Sequence, residues 1–239
     1  MVEKLIKRFR IKVIAIDEVE DSHSSTVYKC KLADGECVYL KIPFTKIKFE
    51  RELEAYNILR DRVSIPQLID YWSGDENCPG AFLLSALKGC PLTTNVLPDV
   101  AYQVGVLQAK LHTVKPPKDL KSILNVFPNW SEFMEEKFYS FAEEVIDVLE
   151  PSLYKKAIQK FEEMKKQLPH PDGPSFIHLD FRPANIIVDG NQIAGVIDFE
   201  SVRFGSTEMD FSKLYRDFLS FDSNFYEAFQ EGYNSVRPL

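Results

Sequence analysis

Apolar residues, many of them β-branched or aromatic, are interspersed with polar ones in three early stretches of the chain, Lys12–Val19 (KVIAIDEV), Thr26–Leu32 (TVYKCKL) and Glu36–Ile42 (ECVYLKI). That β-rich composition predicts strands. Asp34-Gly35 lies between the last two and predicts a hairpin with a two-residue turn, which would set Cys37 opposite Leu32 and Cys30 opposite Tyr39. Asp21–Ser25 (DSHSS) reads as a polar loop. Lys46 to Arg62 reads as helical, and Phe49, Leu53, Tyr56 and Leu59 share one face of a predicted helix. Gln67–Trp72 and Ala81–Leu87 return to strand character.

Beyond Lys88-Gly89 helical periods dominate. Asp99–Val114 places Ala101, Val104, Leu107 and Leu111 on one stripe and ends ahead of Pro116-Pro117. Trp130–Leu149 repeats Met134, Phe138, Phe141, Val145 and Val148, and Ser152–Leu168 repeats Ala157, Phe161, Met164 and Leu168. The stripe with Phe138 and Phe141 is expected to be core. A short β insert follows, with strands at Ser175–Ile177, Ile186–Val188 and Ile193–Phe199 and a turn at Asp189-Gly190-Asn191. Helices close the chain. The pattern predicts an α+β architecture of two lobes, a small β-rich one over residues 1–87 and a larger, mostly helical one over 88–239.

Charge narrows the function. In 239 residues, 36 acids face 29 bases, so the net charge is −7 and argues against nonspecific binding to nucleic acid or to an anionic membrane. The longest charge-free run, Asn77 to Leu87, is too short to span a bilayer. The start, MVEKLIKRFR, is charged throughout and unlike a signal peptide, so a cytoplasmic location is expected. Cys30, Cys37, Cys78 and Cys90 form no C-x-x-C pair and are expected to be free thiols. No two of the ten glycines stand two or four apart, which removes G-x-G-x-x-G and G-x-S-x-G, and no Walker P-loop occurs.

Chemistry concentrates in FIHLDFRPANIIVDGNQIAGVIDFE, Phe176 to Glu200. Strands on either side of HLDFRPAN would hold Asp180 and Asn185 on a rigid loop and bring Asp198 to a strand end beside them. Asn185 and Asp198 are oxygen ligands of the kind Mg²⁺ takes in small number while sharing its shell with phosphates. Asp180 is a carboxylate suited to accept a hydroxyl proton, and Arg182 a cation for a transferring phosphoryl group. His178 is expected to bond backbone around the loop, and His112 to be a helix cap or core residue.

H-x-D-x-x-x-x-N, followed thirteen residues later by the Asp of I-D-F, resembles the core of the aminoglycoside phosphotransferase and choline kinase-like families, which share the protein kinase fold. The resemblance extends along the chain. VYLKI is similar to the strand carrying the nucleotide lysine, here Lys41, and FERELEAYNIL to the helix whose glutamate pairs with it, Glu52, with Glu54 as the rival. FLLSALKG resembles the hinge, where the Ser85 carbonyl and the Leu87 amide would meet the purine. FGSTEMDFSKL resembles the segment that follows, with Asp210 as a structural acid. In the commonest family loop, glycine, histidine and glycine stand where this chain has Leu179, Arg182 and Ala184, and Glu200 replaces the glycine of D-F-G.

The resemblance implies a kinase that transfers the γ-phosphoryl group of ATP or GTP to a hydroxyl of a small molecule. Lys41 would hold the α- and β-phosphates and Glu52 would hold Lys41. Asn185 and Asp198 would bind Mg²⁺, Asp180 would be the catalytic base, and Ser24 and Ser25 would contact phosphates in place of a glycine-rich loop. Only eleven residues separate Asp198 from Asp210, too few for the activation segment of a protein kinase. The remaining rival is a catalytically inactive nucleotide-binding module. Ser131–Glu150 carries seven acids against Lys137 alone, which suggests either a solvated helix face or an acidic wall for a cationic acceptor such as an aminoglycoside or amino alcohol.

Overall fold

The computed structural model describes residues 1–19, 24–167 and 170–238. The chain opens with helix α1 (Val2–Phe9), then strands β1 (Val13–Glu18), β2 (Ser25–Leu32) and β3 (Cys37–Pro43), helix α2 (Lys46–Leu59), and strands β4 (Leu68–Trp72) and β5 (Ala81–Ser85). The five strands form one antiparallel sheet in the order β1-β2-β3-β5-β4. Alternation along β3 divides labour between its faces. Val38, Leu40 and Ile42 pack with Cys30, Trp72, Leu83 and Leu5 of α1 in one cluster, while Lys41 points the other way, to α2. The amphipathic α1 went unread in the sequence because its apolar stripe is short. Leu5 is its only buried residue, and Lys4 and Arg8 lie over the Trp72 ring at 4.9 and 4.8 Å.

The β2–β3 hairpin corrects the expected register by one residue. Lys31 faces Cys37 and Cys30 faces Val38, because the loop takes three residues, Ala33 to Gly35. Gly35 sits at φ 92° and completes a bulged turn that a two-residue loop does not need. The conclusion about the thiols is unaffected, and all four cysteines are free.

The second part is mainly helical: β6 (Cys90–Pro91), α3 (Pro98–Thr113), α4 (Trp130–Val145), α5 (Pro151–Met164), β7 (Ser175–Ile177), β8 (Ile186–Asp189), β9 (Gln192–Val196), β10 (Arg203–Gly205), α6 (Phe211–Asp217) and α7 (Ser223–Asn234). β6, β8 and β9 make one small sheet, and β7 pairs with β10 in another. Around α3 the main core gathers Val104, Leu107, Leu111, Phe176, Phe204 and Tyr233. No helix among the described residues is long and apolar enough to cross a membrane.

The α4 stripe is not core, contrary to the sequence pattern, and neither is the α5 stripe. Only Ala142 is buried on α4 and none on α5, and Phe141, Val148 and Met164 are 59%, 81% and 50% exposed. The two helices pair with each other instead, through Phe138 stacked on Phe161 at 3.7 Å. Leu168 and the loop residues Asp21–His23 lie outside the described residues.

Helices α3 and α7 cross at backbone contact. A Cβ on Gly232 would stand 1.9 Å from the Tyr102 carbonyl oxygen, and one on Gly105 would stand 2.2 Å from that of Phe229. Backbone cannot yield as a side-chain tip can. Gly232→Ala is therefore expected to cost about 1–3 kcal/mol or more through overpacking. Denaturant unfolding measures it, and a wild-type midpoint would contradict so close a crossing.

Candidate active site

The loop after β7 is held from below. Asp210 accepts hydrogen bonds from the His178 and Leu179 amides, both at 2.6 Å. Leu179 has φ 62°, a left-handed conformation unfavourable for a side-chain-bearing residue, and these two bonds fix it there. This is the position where the resembling loops carry glycine. Asp210 is itself buried against His112, whose Nε2 lies 3.3 Å from Oδ2 and whose Nδ1 lies 2.7 Å from the Tyr233 hydroxyl. His112 is thus a buried strut of the loop, within the core role expected of it.

The His178 ring also serves the backbone. Its Nδ1 accepts from the Asp180 amide at 3.3 Å, and its Nε2 donates to the Ile197 carbonyl at 3.1 Å. That second bond ties the loop to the residue before Asp198. A third tie runs from the Ile197 amide to the Asn185 carbonyl at 3.0 Å.

Asp180 is surrounded by donors. Asn185 Nδ2 donates to its Oδ2 and to its backbone carbonyl, both at 2.9 Å, and Arg182 Nε lies 3.2 Å from Oδ2. Lys213 Nζ donates to Oδ1 at 2.5 Å. Lys213 was not singled out in the sequence. Its signal was its place on α6, three residues after Asp210, one helical turn from the residue that anchors the loop.

The second group of charges lies between β3, α2 and the end of the β9 strand. Lys41 Nζ lies 2.8 Å from Glu52 Oε2 and 2.7 Å from Asp198 Oδ1. Glu52, not Glu54, pairs with Lys41. Glu54 accepts instead from the amides of Lys121, Ser122 and Ile123, each at 2.7 Å. Burial disfavours the Lys41 ammonium, but Glu52 and Asp198 outweigh it and hold its pKa well above the usual lysine range. Complete burial pushes the Glu52 carboxyl up to about 7 against the pull of Lys41. Burial also works against the Asp198 carboxylate, yet Lys41 brings its pKa below the ordinary value.

Glu200, at the glycine position of D-F-G, joins this group. The Ser24 hydroxyl donates to its carboxylate, Lys48 Nζ donates to it at 3.0 Å, and Arg51 donates to its carbonyl at 2.8 Å. Glu52, Asp198 and Glu200 each present a carboxylate oxygen within 4.8 Å of the others. Two lysines offset these three carboxylates, Lys41 bridging Glu52 and Asp198 and Lys48 holding Glu200.

The expected residues therefore gather into two linked groups, Asp180 with Arg182 and Asn185, and Lys41 with Glu52 and Asp198. Arg182 lies close enough to Asp198 to favour its charged form, which joins them electrostatically. Ser24 reaches the second group through Glu200. Ser25 opens β2, where it pairs with Pro43 at the end of β3, and is buried. Ser85 and Leu87 stand apart at the end of β5: the Ser85 hydroxyl accepts from the Gln67 amide at 2.8 Å, and Leu87 packs over Gly195 of β9.

No curated protein matches this sequence. Solved structures share its fold. The GDP and kanamycin complex of the aminoglycoside phosphotransferase APH(2'')-IIIa superposes with a TM-score of 0.75 at 15% identity, covering 98% of this chain and 82% of that one. ADP-bound aminoglycoside phosphotransferase APH(2'')-Ib gives 0.69 at 20% identity, covering 98% and 81%. The macrolide 2'-phosphotransferase MphH of Brachybacterium faecium gives 0.70 at 17%, covering 100% and 83%. The fold is the two-lobed, protein kinase-like α+β fold that the motifs imply. A family model described as the phosphotransferase enzyme family matches residues 16–239, nearly the whole chain including both charged groups. The chain thus belongs to the phosphotransferase enzyme family.

Proposed function

We propose that the chain is a cytoplasmic small-molecule kinase that passes the γ-phosphoryl group of ATP or GTP to a hydroxyl of its acceptor. The observation that carries this is the pairing of buried Lys41 with Glu52 and Asp198 beside a loop that holds Asp180 in hydrogen bonds. Phosphoryl transfer asks for positioning and charge neutralisation more than for covalent help. We divide the chain at residue 87, with nucleotide binding before it and catalysis and acceptor binding after it.

Each residue then has a role. Lys41, fixed by Glu52, meets the α- and β-phosphates. Ser24 and Ser25 meet phosphate oxygens, and the Ser85 carbonyl and Leu87 amide meet the purine. Asp180 orients the acceptor hydroxyl and accepts its proton, and Arg182 offsets charge on the transferring group. Asn185 and Asp198 fit Mg²⁺: the Asn185 side-chain carbonyl oxygen accepts no hydrogen bond among the described residues, and Asp198 gives Lys41 only Oδ1. When bound there, the ion would neutralise phosphate charge. The intact Lys41–Glu52–Asp198 contacts favour this reading over an inactive nucleotide-binding module.

For the acceptor we infer a cationic compound, such as an aminoglycoside or amino alcohol, rather than a nucleic acid or membrane. What supports it is the acidic α4 segment, where Glu132, Glu136, Glu143, Glu144, Asp147 and Glu150 remain solvent-exposed. Transfer from MgATP or MgGTP into a library of hydroxyl compounds identifies the acceptor. Its KM is expected to rise with salt and on replacing Glu143 and Glu144 by glutamine, with the KM for nucleotide unchanged. A neutral or anionic acceptor in that library overturns the cationic assignment and leaves the kinase reading standing.

A further inference from the structure

One cation at the site has no role in the scheme above. Lys213, in the first turn of α6, donates to Asp180 Oδ1 at 2.5 Å. The opposite oxygen is engaged twice, by Asn185 Nδ2 at 2.9 Å and Arg182 Nε at 3.2 Å. The side chains of Lys213 and Arg182 are 42% and 38% exposed, so both border open space and not a sealed core. A half-exposed ion pair contributes little to stability, and stability alone does not account for it.

If Asp180 is the base, as the proposed function has it, Oδ1 is the oxygen left to take the proton, and the incoming hydroxyl meets the Lys213 ammonium as its neighbour. We propose that Lys213 is a second cation of the transfer step, fixing Asp180 through Oδ1 and offsetting charge where the phosphoryl group arrives. In that step the hydroxyl proton passes to Asp180 Oδ1 and the acceptor oxygen bonds the γ-phosphorus. The bond from that phosphorus to the β,γ-bridging oxygen breaks, and its electron pair leaves on the nucleoside diphosphate. Negative charge spreads over the γ-phosphoryl oxygens meanwhile, flanked by Arg182 and Lys213 on either side of Asp180. The geometry is set in advance. Asp210 immediately precedes α6 and binds the catalytic-loop amides, so Lys213 and Asp180 are held by one anchor.

Calorimetry with MgADP alone and with MgADP plus aluminium fluoride, a mimic of the transferring phosphoryl group, tests this without the acceptor. Wild type is expected to bind the fluoroaluminate complex more tightly than MgADP. Lys213→Met should keep the MgADP affinity within about twofold while losing about 10- to 100-fold for the complex, and Lys213→Arg should recover most of it. Lys213→Gln serves as the neutral variant if the methionine one misfolds. Wild-type affinity of the neutral variant for the complex overturns the inference alone, as does an equal loss for MgADP and the complex, the mark of a structural role. A well-folded wild type that binds no MgADP, or gains nothing from aluminium fluoride, overturns the inference too; absence of MgADP binding also removes the proposed function, which separates the two failures.

Discussion

Asp180→Asn is expected to lower turnover by about 10² to 10⁴ while leaving the fold and nucleotide affinity as they are. The amide keeps the shape of the carboxylate and can still accept from Asn185 Nδ2, which lies 2.9 Å from Oδ2. It cannot take a proton from an acceptor hydroxyl. The loop itself does not depend on that carboxylate, because Asp210 anchors the His178 and Leu179 amides and the His178 ring binds the Ile197 carbonyl. Steady-state kinetics with the acceptor found in the library gives the number, and circular dichroism verifies the fold. A folded variant with wild-type turnover would remove Asp180 from the role of base.

Asp198→Ala is expected to act earlier, on binding. Asp198 carries the charge in the proposed magnesium pair and is one of two carboxylates on Lys41, at 2.7 Å. Without it the affinity for MgATP should fall about 100-fold or more, the loss of about 3 kcal/mol that a charge-assisted contact can supply. Lys41 keeps Glu52 at 2.8 Å, so the lysine is not left uncompensated and the fold should hold. Isothermal calorimetry decides it: MgATP bound as tightly as by wild type would mean that Asp198 does not serve the metal–nucleotide complex.

Much of this was legible in the sequence because local chemistry specified it. The order of Lys41, Glu52, Asp180, Asn185 and Asp198, with its resemblance to a known family, was enough to anticipate the pairing of Lys41 with Glu52, whereas the contacts of Lys41 with Asp198 and of Asp180 with Asn185 came only with the fold. What escaped depended on geometry between elements. The hairpin register turned on a third loop residue, which Asp34-Gly35 alone does not declare. Apolar periodicity on α4 and α5 announced a helical face but not its partner, and Phe138 stacks on Phe161 of the neighbouring helix while Phe141 stays exposed. Lys213 reaches Asp180 across 33 positions of sequence, a distance no local pattern encodes. Glu200 looked like a simple departure from D-F-G. It holds Ser24 and Lys48 by side-chain contacts that only folding creates.

The proposed reaction is transfer of a phosphoryl group to a small-molecule hydroxyl by Asp180 and its neighbours. Its most direct test is incubation of the purified protein with γ-labelled MgATP or MgGTP and the hydroxyl-compound library, with wild type and Asp180→Asn in parallel. The expected result is label appearing in one acceptor class with wild type and falling by about 10² or more with the variant. A wild type that binds the nucleotide yet labels no acceptor, or an Asp180→Asn variant that labels as fast as wild type, would contradict it.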